Sequence, residues 1–180
     1  MLQARLDALS AEARHVALLA SVVGRVFWIG AVLAVAQYST DTGLLQLEAA
    51  KPDRLITEGL AEMVKAELAF PRAGSMFAGE QEYIFKHSLL RDVAYSLLPI
   101  KYRRQYHLAV ARWLKTYAGP DFTAIVAEHL EQAGAVAEAA GHYALAARHA
   151  MLRGADGEAT WLREHALELE AQLLNSNISS

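Results

Sequence analysis

The chain has 180 residues, of which 54% are hydrophobic, and it carries 17 basic and 20 acidic side chains for a formal net charge of −3, with no cysteine. That length holds one domain or two small ones, and the near balance of charge excludes a global attraction to nucleic acid or anionic lipid. The missing cysteines exclude disulfides, thiolate catalysis and cysteine-ligated zinc, as expected of a cytoplasmic protein.

A mean hydropathy of +0.14 is high for a chain without a membrane span. The most apolar run is broken by Gly24-Arg25, short of the ~20 uninterrupted residues a span requires. Arg5, Asp7, Glu12 and Arg14 interrupt what would be the apolar core of a signal peptide. Much of the apolar share is alanine, which predicts closely packed helices and a surface that covers other parts of a larger protein.

Leu6, Leu9, Ala13, Val16, Ala20 and Val23 predict a first amphipathic helix, capped by Ser10 and ended by Gly24. Residues 27–36 predict a second helix, apolar on nearly all sides and therefore enclosed. Residues 39–43 read as a loop and 44–50 as a short helix. Pro52 suits a first helical turn, and Leu55, Ile56, Leu60, Met63 and Val64 give the next amphipathic stripe. Residues 67–70 predict a strand stopped by Pro71, with Tyr83-Ile84-Phe85 as the returning strand of a long-tipped hairpin. Three helices and then such a hairpin are the parts of a winged helix.

The chain turns at Lys86-His87-Ser88. Tyr83 and Phe85 repeat at the strand period, whereas Leu89, Leu90, Val93, Ala94, Leu97 and Leu98 repeat at the helical one. Ser88 is placed to cap the new helix, which leaves His87 at a strand-to-helix corner. Beyond it, Tyr102, Tyr106, Val110, Trp113 and Tyr117 predict a helix with an aromatic face, stopped by Gly119-Pro120-Asp121. Gly134, Ala139, Tyr143 and Ala146 are echoed twenty residues later by Gly154, Ala159, Arg163 and Ala166. Small residues at such positions let helices approach closely. The first copy follows the small and large positions of a tetratricopeptide repeat; the second departs from it at Arg163 and in its offset. The fold expected is mainly α: a winged-helix domain over 1–98, antiparallel tetratricopeptide-like helices over 99–174, and a disordered polar tail over 175–180.

Five ordered segments carry a family resemblance: Arg5-Leu6-Asp7-Ala8-Leu9, Val23-Gly24-Arg25-Val26-Phe27, the stretch from Tyr83 through His87 to Tyr95, Arg103-Arg104-Gln105-Tyr106-His107, and Ala127-Glu128-His129-Leu130-Glu131-Gln132-Ala133-Gly134. Together they resemble the region downstream of the nucleotide-binding domain in bacterial STAND-type signalling ATPases, which are often fused to class III adenylate/guanylate cyclase or transcriptional-regulator domains. The resemblance implies a non-catalytic regulatory module whose partners are the ATPase domain of the same parent chain and a protein or peptide on the helical arm. ATP or ADP and magnesium would belong to the parent, because no Gly-rich phosphate loop followed by Lys and Ser/Thr occurs here. The corner is also similar to the Met-His-Asp motif of related apoptotic and plant-resistance ATPases, whose histidine touches the β-phosphate of ADP. That implies a nucleotide-sensing role for His87, with Ser88 departing from the motif's acidic residue.

Lys86, Arg91, Lys101, Arg103 and Arg104 are candidates for docking or phosphate contacts, and with His107 and Lys115 the residues of the later group form a basic side opposite the aromatic stripe. The alternative function is DNA binding by the winged helix. Against it, the helix that would read DNA sets Asp53, Glu58 and Glu62 against Arg54 and Lys65. The histidines lack the three- or four-residue spacing of a helical chelate, and the serines offer no nucleophile elbow, so neither a metal site nor an autonomous enzyme is expected.

Overall fold

A computed structural model describes residues 2–41, 52–117 and 119–178. It is mainly helical with three antiparallel strands, and it divides into two compact units, residues 1–113 and 114–180. The first unit contains α1 (Leu2–Asp7), α2 (Ala11–Val23), β1 (Val26–Trp28), α3 (Ile29–Asp41), α4 (Pro52–Lys65), β2 (Ala69–Pro71), β3 (Glu82–Phe85), α5 (Ser88–Leu97) and most of α6 (Ile100–Thr116). The second contains the end of α6, a 3-10 turn at Pro120–Phe122, α7 (Thr123–Gln132), α8 (Val136–Leu152) and α9 (Asp156–Ile178).

Helices α2 and α4 pack closely at Gly59. A Cβ on Gly59 would lie 2.7 Å from Val16 Cγ2 and 3.3 Å from Ala13 Cα, so the contact exists only because position 59 has no side chain. Leu55, Ile56, Leu60 and Met63 surround it and are buried. Ser10 caps α2 as expected, its Oγ accepting from Ala13 N at 3.1 Å. The Glu62 carboxylate on α4 accepts from both Ser10 N and Ser10 Oγ, at 2.8 and 2.7 Å. Those two bonds hold the Glu62 carboxyl below its ordinary range.

The apolar run after Gly24 is not one helix. Val26, Phe27 and Trp28 form β1, and α3 begins only at Ile29 and continues to Asp41, through residues whose composition predicted a loop. A short apolar run fits strand and helix equally by periodicity, and here the β-branched and aromatic residues pair with β3. Thr42, Gly43 and the helix expected over 44–50 lie outside the described residues. The hairpin is present, with β3 central in the order β1-β3-β2. Glu67 takes a left-handed φ of 54° and ends α4, so β2 starts at Ala69 and includes Pro71. An edge strand tolerates that proline because its missing N–H faces no partner.

The register sets two faces on the sheet. Phe27, opposite Tyr83, packs against Tyr83 and Phe85 on one side. On the other, Trp28 lies opposite Glu82, which is 1% exposed. The Glu82 carboxylate is fully engaged: Oε2 accepts from Trp28 Nε1 and Met76 N, both at 3.0 Å, and Oε1 meets Arg72 Nη1 at 2.7 Å. Trp28 packs with Phe77 and Trp113. Next to it, Glu80 accepts from Gly30 N in the first turn of α3 at 3.0 Å, where a negative charge suits the helix dipole. The loop between β2 and β3 is thus fastened to β1 and α3 by two carboxylates.

In the second unit, α7, α8 and α9 are joined by two short turns of the same construction. Gly134 and Gly154 take φ of 78° and 75°. In each turn the next residue's N–H returns to the carbonyl five positions back, Ala135 to Leu130 and Ala155 to Ala150, both at 2.9 Å. This is the Schellman arrangement, which favours glycine at the left-handed position, and such short connections make helices in contact antiparallel. The twenty-residue echo is therefore a repeat of the turn. Ala139, Tyr143, Ala146 and Ala150 are buried on α8, and Ala159, Leu162, Ala166 and Leu169 on α9. Arg163, which the echo aligned with Tyr143, is exposed, and buried Leu162 is its neighbour. Asn175 to Ile178, expected in a tail, continue α9.

Three substitutions test these supports in urea unfolding. Gly59→Ala is expected to cost about 1–3 kcal/mol by forcing α2 and α4 apart. Glu82→Ala is expected to cost about 3 kcal/mol or more by stranding the buried Trp28 Nε1–H, the part-buried Met76 N–H and Arg72, and Glu82→Gln, which keeps an acceptor oxygen, less. An unchanged midpoint for Glu82→Ala would show that this carboxylate does not hold the loop.

Candidate functional site at the strand-to-helix corner

The backbone around His87 is fixed on both sides. Phe85 N donates to Arg25 O and Lys86 N to Leu68 O, both at 2.9 Å, while the carbonyl of His87 accepts from Leu90 N at 3.1 Å and Arg91 N at 3.5 Å. Phe85 and Leu90 are 0% exposed, whereas His87, Ser88 and Leu89 are exposed. The corner is therefore rigid in its backbone and open in its side chains.

The cap differs from the expectation. Helix α5 starts at Ser88, and His87 occupies the capping position with φ −130° and ψ 138° and no side-chain hydrogen bond to the helix. The imidazole of His87 thus does not cap α5, and of the first-turn amides Leu90 N already donates to the His87 carbonyl.

The other candidates fall into three groups. Lys86 turns to the hairpin, where Nζ meets Glu67 Oε2 at 2.6 Å and lies 5.6 Å from the Phe70 ring centroid. Arg91 and Arg103 hold the fold. Arg91 Nε donates to Ser21 O at 2.8 Å near the end of α2, and Arg103 donates to Leu98 O and Ser96 O at 3.0 and 3.1 Å. Their guanidinium carbons lie 4.9 and 4.6 Å from the Tyr95 ring centroid, so Tyr95 is flanked by two cations. Lys101 and Arg104 are exposed on α6, Lys101 lying 4.5 Å from the Tyr102 ring.

His107 does not belong to a basic face. It is 4% exposed, and its Nε2 is 2.8 Å from Tyr95 Oη. Burial first, then the positive charges of Arg91 and Arg103, push its pKa down to about 4. The four-residue period puts Arg103 and His107 on one side of α6, but only the tertiary structure reveals that Tyr95 and the end of α5 cover it. Lys115, the last member of that basic side, forms an ion pair with Glu138 in the second unit.

A separate polar cluster in the second unit joins its three helices. The Glu131 carboxylate on α7 accepts from Tyr143 Oη on α8 at 2.8 Å and meets His165 Nε2 of α9 at 3.0 Å. Trp161 lies flat against the His165 ring with centroids 5.3 Å apart. The hydrogen bond to Glu131 raises the pKa of His165 above its ordinary value. Sequence singled out Tyr143 only as a bulky core residue; the i,i+4 spacing of Trp161 and His165 is the signal that places them together.

No protein-family model matches the chain, and no solved structure matches it. Over 109 residues it is 31% identical to an uncharacterized protein of Rhizobium meliloti (strain 1021). The match takes in 55% of this chain and 10% of that protein, so the chain spans about a tenth of its relative's length.

The two histidines are expected to titrate in opposite directions, which imidazole NMR measures directly. His107 should stay neutral until about pH 4, and His165 should keep its proton above 6.5. Because the folded state lowers the His107 pKa, its contribution is complete above 6.5 and fades as pH falls toward 4, on the order of 3 kcal/mol in all. The difference in urea stability between the native chain and His107→Gln should shrink across that window; a constant difference would refute the assignment. His165 has the reverse sign, its contribution being complete below 6.5 and lost as pH rises through the raised value.

Proposed function

We propose that this chain is a non-catalytic regulatory and interaction module of a multidomain bacterial signalling ATPase, associated with a nucleotide cyclase or a transcriptional regulator. In this role a winged-helix unit docks on the ATPase domain, and tetratricopeptide-like helices bind a protein or peptide. The observation that carries the reading is the exposed His87 on a backbone pinned by buried Phe85 and Leu90. Such an imidazole is held in position yet free to meet a neighbouring domain's ligand, and beside a phosphate it gains proton affinity and donates a charge-assisted hydrogen bond.

Three further features support it. The order α2-β1-α3-α4-β2-β3 keeps the three helices and the hairpin from which a winged helix was read and adds a third strand, β1. Leu89, 64% exposed beside His87, gives the corner an apolar contact as well as a polar one. The match to a small part of a much longer relative is in keeping with a module of a multidomain protein.

The mechanism is a two-state rearrangement. ADP in the neighbouring ATPase accepts from His87 and stabilises the docked state; when the contact changes, the docked surface is released and the arm is repositioned. Lys101 and Arg104 are the exposed cations available to an acidic docking surface, and Lys86 could exchange Glu67 for one.

DNA binding is the weaker alternative. Arg54 pairs with Glu58 at 2.8 Å and Arg72 with Glu82 at 2.7 Å, so cations on the helix and loop that would approach a duplex are neutralised within the unit. The parent protein carrying His87→Ala is expected to release ADP about tenfold faster, as loss of a charge-assisted hydrogen bond implies. Unaltered ADP release, or no ATPase domain encoded upstream, would end the relay reading. A shift of random duplex DNA at low salt that disappears with added salt would favour the alternative.

A further inference from the structure

Helix α9 packs on α8 through Ala159, Leu162, Ala166 and Leu169, all buried. About a third of a turn around the helix it carries a second row. Arg163, Leu167, Glu170 and Leu174 follow one another at steps of four, three and four residues, which places them on one face. That face is open: Leu167 is 57% and Leu174 64% exposed, and Arg163 and Glu170 are exposed beside them. The outer face of a helix is ordinarily polar, and here leucine recurs on it. The ion pairs of α9 use Glu158, His165 and Glu168. Arg163 and Glu170 form none among the described residues, and at two turns apart, about 10.5 Å along the axis, they are too distant to neutralise each other.

The order of these charges determines what fits the row. Arg163 lies about 6 Å before Leu167 along the axis and Glu170 about 4.5 Å after it, so the row is positive on one side of Leu167 and negative on the other. Turned end for end about Leu167, the row becomes its own complement. Arg163 of one copy then lies beside Glu170 of the other, and the reverse pair forms by symmetry. Leu167 meets Leu167, Leu174 covers Thr160, and the exposed Glu164 comes beside Ala171, away from any carboxylate of the row. A parallel pair would instead set Arg163 on Arg163 and Glu170 on Glu170, which like-charge repulsion opposes.

We propose that the outer face of α9 is a self-association surface, on which a second copy of this chain packs antiparallel about a two-fold axis at Leu167. The row from Thr160 to Leu174 runs about 21 Å. One helix against one helix falls at the small end of specific interfaces, so the dimer is reversible, with a dissociation constant of about 100 µM. His165, two residues from Leu167 and so about 200° around the helix, points away from the seam, and its cluster with Glu131 and Tyr143 is left intact. The inference goes beyond the nucleotide relay and requires nothing of it, since every residue of the row belongs to the second unit.

Sedimentation velocity on the full 180-residue chain, from about 10 µM to about 1 mM, tests this and is expected to show monomer passing to dimer with a midpoint of about 100 µM. Arg163→Glu and Glu170→Arg should each weaken the dimer about tenfold, because like charges then meet, and the two together should return it to within about threefold of the native chain. Both positions are exposed, so neither reversal disturbs the core. The chain has no cysteine, so Leu167→Cys should give a covalent dimer under mild oxidation, whereas Leu174→Cys, far from its own copy in an antiparallel pair, should not. A monomer at about 1 mM, no recovery in the doubly reversed chain, or cross-linking of Leu174→Cys as readily as Leu167→Cys would overturn the assignment.

Discussion

The first unit depends on a buried negative charge. Glu82 on the central strand gathers an indole N–H, a backbone N–H and a guanidinium from three different parts of the chain, and leaving any of these without it would cost more than the bond contributes. The carboxylate therefore decides where the loop between β2 and β3 lies. By fixing Trp28 opposite itself it also sets the register that brings Phe27 onto Tyr83 and Phe85. Three residues beyond Phe85 the chain enters α5, so the corner at His87 takes its position from the same constraint.

Around that corner the cations are divided between structure and surface. Arg91 and Arg103 use their donors on backbone carbonyls at the ends of α2 and α5 and flank Tyr95. Burial first, and then their charge, keeps His107 neutral beneath them. His87, one helical turn before Arg91, carries no such duty. Two histidines twenty residues apart thus have opposite roles: His107 is a buried acceptor or donor in a fixed network, and His87 is a side chain that the fold displays without using.

Much of this architecture was legible in the residues. Ser10, Gly24 and Pro52 each mark a helix boundary by local chemistry alone, and the structure places boundaries there, whereas Gly134, read as a small residue at a helix contact, lies in a turn. Tyr83 and Phe85 do share a face, because strand alternation is a covalent fact. What the sequence hid was long-range. Phe27-Trp28 reads as helix until β3, more than fifty residues away, supplies a pairing partner. Glu82 lies before the strand read at Tyr83-Ile84-Phe85, and only Arg72 and Trp28, brought in by the fold, reveal its burial. Ser88 reads as a cap because serine favours that position, but Phe85 is held on the sheet and the chain turns one residue earlier. At the candidate site, the place of His87 at the strand-to-helix corner followed from the switch between two apolar patterns but its exposure did not, and the burial of His107 depended on the approach of Tyr95 and could not be read from α6 alone.

Helix α8 lies between two identical glycine turns and must pack on both of its flanks at once. It does so with Ala139, Ala140, Ala146, Ala147 and Ala150 in the buried rows and one large ring, Tyr143, among them. The consequence is that the high apolar share of this chain measures slenderness more than oiliness. A rod stripped to methyl groups is shared by two neighbours where a leucine-lined rod would hold them apart, and its grip comes from proximity, so that even one added methylene along its length would push both neighbours outward together.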